Sequence, residues 1–216
     1  MTPSPQSLPL EDTKMDEAVR ALRKDLLAAG GHSINTMRNH AFAILPYPPE
    51  QEFVLRRRIR QLTVELQAEG WAVLQIDLHQ LLLQRVDAQG ADYRNAVVGR
   101  ESRLFAKDQQ RALDYLSETL MELIEGPDGL AADVTKQIRD FAAANSSRLA
   151  RSLVLVGRMS ALYPFARSSA LLKHIANRTM GLPVVLLYPG IRTENTALSF
   201  MGELPPDRDY RPRIYP

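Results

Sequence analysis

The chain has no cysteine, only four histidines and few aromatic residues. Without cysteine there is no disulfide framework, zinc–thiolate site, iron–sulfur cluster or thiol nucleophile. His32, His40, His79 and His174 form no H-x-x-x-H or H-x-x-E-H pair, so no helix offers two imidazoles on one face to a metal. No apolar run approaches the roughly 20 residues of a membrane span. The opening MTPSPQSLPLEDTK has no basic start, no apolar segment and no cleavage site, unlike a signal peptide. These absences predict a soluble, cytoplasmic protein with no membrane contact. A length of 216 residues suits one domain carrying an insertion. Such a chain buries roughly 70% of its unfolded surface and needs no covalent staple.

Arginine is abundant: 22 of the 27 basic residues are Arg. Its planar fork suits carboxylates and phosphates. The formal net charge of +2 hides an asymmetry, with residues 1–60 at +2, 61–130 at −6 and 131–216 at +6. A total of +2 does not indicate nucleic-acid binding by bulk charge. Nucleic acid stays possible only through local contacts.

Hydrophobic periodicity orders the chain. Residues 1–12 are rich in Pro and Ser and are expected to be mobile, leaving 13–216 as a single α/β domain. A helix is predicted from an N-cap at Thr13 to Gly30-Gly31, with Met15, Val19, Leu22 and Leu26 on one face. His40 to Pro46 reads as a short strand. Pro48 and Pro49 open a helix to about Glu69, striped by Leu55, Ile59, Leu62 and Leu66. Trp71 to Asp77 reads as a second strand, apolar enough to be covered on both faces. Leu78–Arg85 reads as helical, and the polar stretch around Gly90–Lys107 breaks the pattern. Helices follow at about 109–125 and 128–144, within an insertion over about 90–146 that carries most of the negative charge. Ser152–Gly157 is the third strand and Ala166–Asn177 a helix. Leu182–Tyr188 is the fourth strand, with Pro189-Gly190 as its exit turn and Gly190 at positive φ. Ala197–Met201 suggests a last edge strand, and the Pro-containing tail favours irregular structure. Successive β-α units predict an α/β fold: a mostly parallel sheet flanked by helices, Rossmann-like or degenerate P-loop-like, with a helical insertion.

Such a sheet binds ligands beyond the carboxyl ends of its strands. The first of those loops, Pro46-Tyr47-Pro48-Pro49-Glu50, has none of the glycines that let a backbone approach a pyrophosphate. Asp77 sits where a ribose-binding acid would sit, and without those glycines helix capping is the better reading. There is no G-x-x-x-x-G-K-[ST] phosphate loop and no G-x-S-x-G elbow. His174 lies five residues beyond Ser169, which turns it about 140° away on a helix. Capping also explains Ser160, Ser168 and Ser169 better than a nucleophilic dyad. No catalytic residue, cofactor or metal site emerges.

Residues 152–190 carry more information. Val156-Gly157 ends one apolar strand, and Tyr163-Pro164-Phe165-Ala166-Arg167-Ser168 opens a helix containing Leu171-Leu172. Pro183 to Gly190 forms the next strand. Arg167 sits near a helix N-terminus, against the dipole, which suggests a carboxylate partner or an anionic ligand. With the Gly70-Trp71-Ala72-Val73…Ile76-Asp77-Leu78 strand and the Leu198–Leu204 and Tyr210 pattern, this resembles the BrxB family of the BREX (bacteriophage exclusion) defence systems. The chain departs from that family's G-x-G exit, having Gly157-Arg158-Met159, and has Ser169 in place of a His. The resemblance supplies no catalytic residues. It implies a role in phage restriction and self-marking beside a PglZ-like protein of alkaline-phosphatase fold, a large ATPase and a DNA methyltransferase.

The expected function is therefore a non-catalytic adaptor that docks a PglZ-like partner. The alternative is a degenerate nucleotide- or nucleic-acid-binding domain using strand-exit loops with Arg158, Arg167 and Arg192. Candidate partner or anion contacts are Arg158, Tyr163, Arg167, Tyr188 and Arg192 at the strand exits. On the acidic helical pair they are Asp114, Glu118 and Glu122.

Overall fold

A computed structural model describes residues 10–28, 34, 42–126, 128–166, 171, 174–175, 178–192, 198–203 and 213–216. Six strands are present among them: β1 (Phe42–Tyr47), β2 (Ala72–Asp77), β3 (Ser152–Gly157), β4 (Val184–Arg192), β5 (Leu198–Phe200) and β6 (Arg213–Ile214). The sheet order is β2-β3-β4-β1-β6, with every neighbouring pair parallel. Only β5 runs antiparallel, against the far end of β4. The fold is thus the mostly parallel α/β arrangement expected, although its order differs from the 3-2-1-4-5-6 of the dinucleotide-binding sheet.

Side chains alternate across a strand, so each strand feeds two cores. Ala43, Leu45, Tyr47, Leu153, Leu155, Val185 and Leu187 face α1 (Leu10–Leu26) and α2 (Glu52–Ala68). Met15, Leu22 and Leu26 of α1, and Leu55, Ile59, Leu62 and Leu66 of α2, cover that side. Phe42, Ile44, Val154, Val156, Val184, Leu186 and Tyr188 face the opposite way. They meet α3 (Leu78–Ala88) through Leu81 and Leu82, and α6 (Leu130–Ala144) through Val134 and Ile138. Coverage on both sides accounts for the unbroken apolar character of β1, β3 and β4.

Several boundaries differ from the sequence reading. The first helix starts at Leu10, so Thr13 lies within it rather than capping it, and 10–12 belong to the helix. Residues 167–170, 172–173 and 176–177, most of the helix expected over 166–177, lie outside the described residues; Leu171, His174 and Ile175 are helical, and Ala166 is not. Strand β2 is an edge strand with Gln75 exposed and Val73 and Leu74 half-buried, not one covered throughout. The tail also contributes structure. Ile214 pairs beside Ile44, Tyr215 is buried, and the Tyr215 hydroxyl donates to Asp25 of α1 at 3.0 Å.

The polar stretch after Gly90 is a helix, α4 (Ala91–Phe105), packed alongside α5 (Gln109–Ile124). Val97 is its one buried side chain, so it has no apolar stripe to read. It is held from the side instead: Arg100 lies over the Tyr115 ring at 4.5 Å, and Arg94 pairs with Asp87 at 2.5 Å.

Pro189-Gly190 is not an exit turn. Strand β4 runs through it to Arg192, and Gly190 pairs with Phe200 of β5. Gly190 is absent from the glycines at positive φ. It is needed because β5 approaches closely: a Cβ here would lie 2.2 Å from the Ser199 carbonyl oxygen and 2.6 Å from the Tyr188 ring. Gly190→Ala is expected to cost about 1–3 kcal/mol through overpacking. At roughly 2–4 °C per kcal/mol for a domain this size, thermal unfolding should shift by several degrees. An unchanged Tm would contradict this packing.

Candidate functional site

The carboxyl ends of β1 and β3 lead in opposite directions. After Tyr47 the chain turns through a 3₁₀ segment (Pro49–Gln51) into α2, on one face. After Gly157 it turns through another (Met159–Leu162), which packs against α3 on the other face. Loops that diverge in this way leave a crevice beyond the strands. A cavity of about 150 Å³ lies there, lined by residues that include Tyr47, Glu52, Arg56, Arg60, Gly157 and Arg158.

Glu52 anchors the crevice. It is the first residue of α2, where a carboxylate complements the helix dipole. Its side chain is only 13% exposed. The Tyr47 hydroxyl donates to Oε2, and the Ser160 hydroxyl donates to the same oxygen at 3.1 Å. Arg158 Nη1 stands 4.0 Å from Oε1, a loose ion pair. Burial first, and then the Glu52 carboxylate, push the Tyr47 phenol well above the ordinary tyrosine range. Tyr47 therefore stays protonated and remains a donor to Glu52. Ser160 was expected to serve as a helix cap; it holds Glu52 instead.

Arg158 occupies the left-handed region, with φ 64° and ψ 29°. A non-glycine residue there costs of order 1–2 kcal/mol, and such strain clusters at functional positions. The turn places the guanidinium beside Glu52. On α2, Arg56 and Arg60 are exposed, one turn apart on the crevice side. Neither has an ion-pair partner among the described residues. Asp77, the residue at the ribose-acid position, caps α3: its Oδ1 accepts from the Gln80 amide at 3.1 Å.

The predicted contact residues separate into groups. Tyr163, half-buried, stacks edge-on against Phe200 at 6.0 Å, and its hydroxyl donates to Glu203 at 2.5 Å. Tyr188 is fully buried and packs edge-on against Phe200 at 5.7 Å, so it belongs to the core and not to a contact surface. Arg167 and the side chain of Arg192 lie outside the described residues. Asp114, Glu118 and Glu122 line one exposed face of α5, on a different element from Arg158 and Tyr163. Sequence reasoning missed Glu52, Tyr47, Arg56 and Arg60. The available signal was Glu52, three residues past the Tyr-Pro-Pro strand exit, followed by Arg at i+4 and i+8.

Among the described residues, no group of three or more His, Asp or Glu is placed to hold a metal ion. None of their helices is long and apolar enough to cross a membrane. A second gap, between the Met159–Leu162 turn and α6, measures about 10 Å³, borderline for one water.

Fold and site together define a mostly parallel α/β domain with a crevice at its strand ends, lined by charged and apolar side chains together, and a helical lobe at its side. The family model for the BREX protein BrxB matches residues 74–214. The chain belongs to the BrxB family, and so is a component of a BREX antiphage defence system. The match begins within β2, so Tyr47 and Glu52 precede it while Arg158 and Ser160 fall inside it. No curated protein and no solved structure gives a significant match.

Two outcomes test this geometry. Arg158→Gly, which suits φ 64°, should change stability by no more than about 1 kcal/mol. Arg158→Val should cost about 1–3 kcal/mol, since a β-branched residue is a true outlier there. Equal Tm values for the two variants would argue against the strained turn. The second outcome concerns pH. Tyr47 and Tyr215 both have phenol pKa values raised on folding, chiefly by burial. Their contribution is complete below the unfolded value near 10 and is lost as pH rises past it. Denaturant unfolding should show stability falling above about pH 10. Tyr47→Phe combined with Tyr215→Phe should flatten that fall.

Proposed function

We propose that this protein is a non-catalytic adaptor that holds a PglZ-like subunit, of alkaline-phosphatase fold, within its BREX assembly. Family membership supports a place beside other BREX subunits. The observation that carries the docking surface is the outer side of the α4–α5 lobe. On α5 the exposed face presents Asp114, Glu118 and Glu122 around Met121, which is 41% exposed. On α4, Val98 and Phe105 share one face and are 58% and 53% exposed. Exposed apolar side chains beside a row of like charge mark an interaction surface. The acidic row would steer a basic partner face into register, and the apolar residues would supply the buried contact.

Gln110 donates to Asp114 at 2.8 Å, which orders that carboxylate without neutralising it. Glu118 and Glu122 pair with no cation among the described residues. Their charge is open to a partner.

Co-expression with the PglZ-like subunit, followed by size-exclusion chromatography, tests the proposal. A functional adaptor should co-elute at micromolar concentration, which corresponds to about −8 kcal/mol. Glu118→Lys with Glu122→Lys should weaken the complex at least about tenfold, mostly at the association step and most strongly at low salt. Arg158→Glu should leave it intact. Separate elution of the wild-type proteins would reject the adaptor role. Loss of binding in the Arg158 variant alone would move the dock to the strand exits.

A further inference from the structure

We propose that the crevice at the carboxyl ends of the parallel strands is a binding site for a phosphorylated sugar, with Arg56, Arg60 and Arg158 on the phosphate and Glu52 on the sugar hydroxyls. This is independent of the docking surface on the α4–α5 lobe.

The composition of the crevice restricts its ligand. Three guanidinium groups line it, two of them with no ion-pair partner among the described residues and the third only loosely paired. Such groups favour an anion with several acceptor oxygens, which the Arg fork engages better than a lysine would. A bare anion is a poor match, because the Glu52 carboxylate would repel it. Glu52 Oε2 is already occupied by Tyr47 and Ser160, whereas Oε1 accepts no hydrogen bond from a described residue. A largely buried carboxylate with one open oxygen calls for a ligand that also donates hydrogen bonds. The ligand must then carry an anionic end and a hydroxyl-bearing end. Gln75 and Asp77, at the end of β2, add polar lining on the same side.

Size narrows the choice further. The cavity of about 150 Å³ seats the phosphate and the adjoining part of a sugar, and the rest of the ligand lies among the exposed Arg56 and Arg60 side chains. A nucleobase would extend past the rim towards the exposed Phe53 and the outer face of α2. The backbone supports the same reading: Arg158 occupies the left-handed region, where strain collects at functional positions, and its guanidinium stands 4.0 Å from Glu52.

The same chemistry can come from a free sugar phosphate or from a nucleotide, and calorimetric titration of the full chain separates them. The probes are ribose 5-phosphate, AMP, adenosine and inorganic phosphate, at low and high salt. Ribose 5-phosphate and AMP should bind in the micromolar range, and adenosine should not. AMP binding tighter than ribose 5-phosphate by tenfold or more identifies the nucleotide as the ligand; similar affinities identify the sugar phosphate. Arg56→Ala with Arg60→Ala changes only exposed side chains, and Arg158→Gly suits the backbone, so both variants should fold. Each should weaken binding at least about tenfold, as expected when charge-assisted hydrogen bonds are lost. Glu52→Gln should reduce the preference for ribose 5-phosphate over inorganic phosphate. The proposal is overturned if no phosphate probe binds the folded protein at millimolar concentration, if adenosine binds as well as AMP, or if the Arg variants bind AMP unchanged. Loss of PglZ co-elution in the Arg56/Arg60 variant, with no probe bound by the wild type, would instead make the crevice a pocket for a partner's acidic side chain.

Discussion

Strand β4 is the member on which the rest of the molecule depends. It pairs in parallel with β1 on one side and β3 on the other, then continues past both to receive β5. Val184, Val185, Leu186, Leu187 and Tyr188 are all buried, alternately towards the two helical layers. A strand in that position cannot tolerate polar side chains on either face, because no water reaches them. It also leaves no room where β5 crosses close to its far end, and Gly190 answers that steric demand.

The ends of the sheet follow from this centre. With β1 and β3 flanking β4, their outgoing loops leave on opposite faces, and the crevice opens between them. Glu52 would be costly at 13% exposure without compensation. Tyr47, Ser160 and the α2 N-terminus supply it, two through hydrogen bonds and one through the helix dipole. These groups come from two separate stretches of chain, 47–52 and Ser160, and the sheet brings them together.

The helical lobe answers to a different constraint. It hangs on the sheet through α3 and α6, while α4 touches little besides α3 and α5. A helix with one buried residue contributes little to the core, and its exposed valine and phenylalanine gain nothing from the fold itself. Ion pairs such as Arg94–Asp87 are exposed and add at most about 1 kcal/mol each. The lobe is therefore the natural place for a surface whose energy is realised only in an assembly.

Read alone, the sequence determined the elements that hydrophobic pattern controls. The stripes of α1 and α2 and the apolar runs of β1, β3 and β4 were legible because each reflects a face turned from water. Asp77 was legible as a cap because an aspartate between strand and helix has one local use. Residues 70–78 and 152–190, with the Leu198–Leu204 and Tyr210 pattern, carried the family resemblance. What pattern does not encode was decided by tertiary structure. Helix α4 has no stripe, and β6 is two residues whose partner lies far away in the chain. Gly190 needed its neighbour on β5 before its role was defined. Tyr188, chosen as a surface contact, proved to be core, because strand order alone sets which end of β4 stays covered. The Glu52 cluster joins residues up to 108 positions apart, and no local signal carries a meeting at that distance.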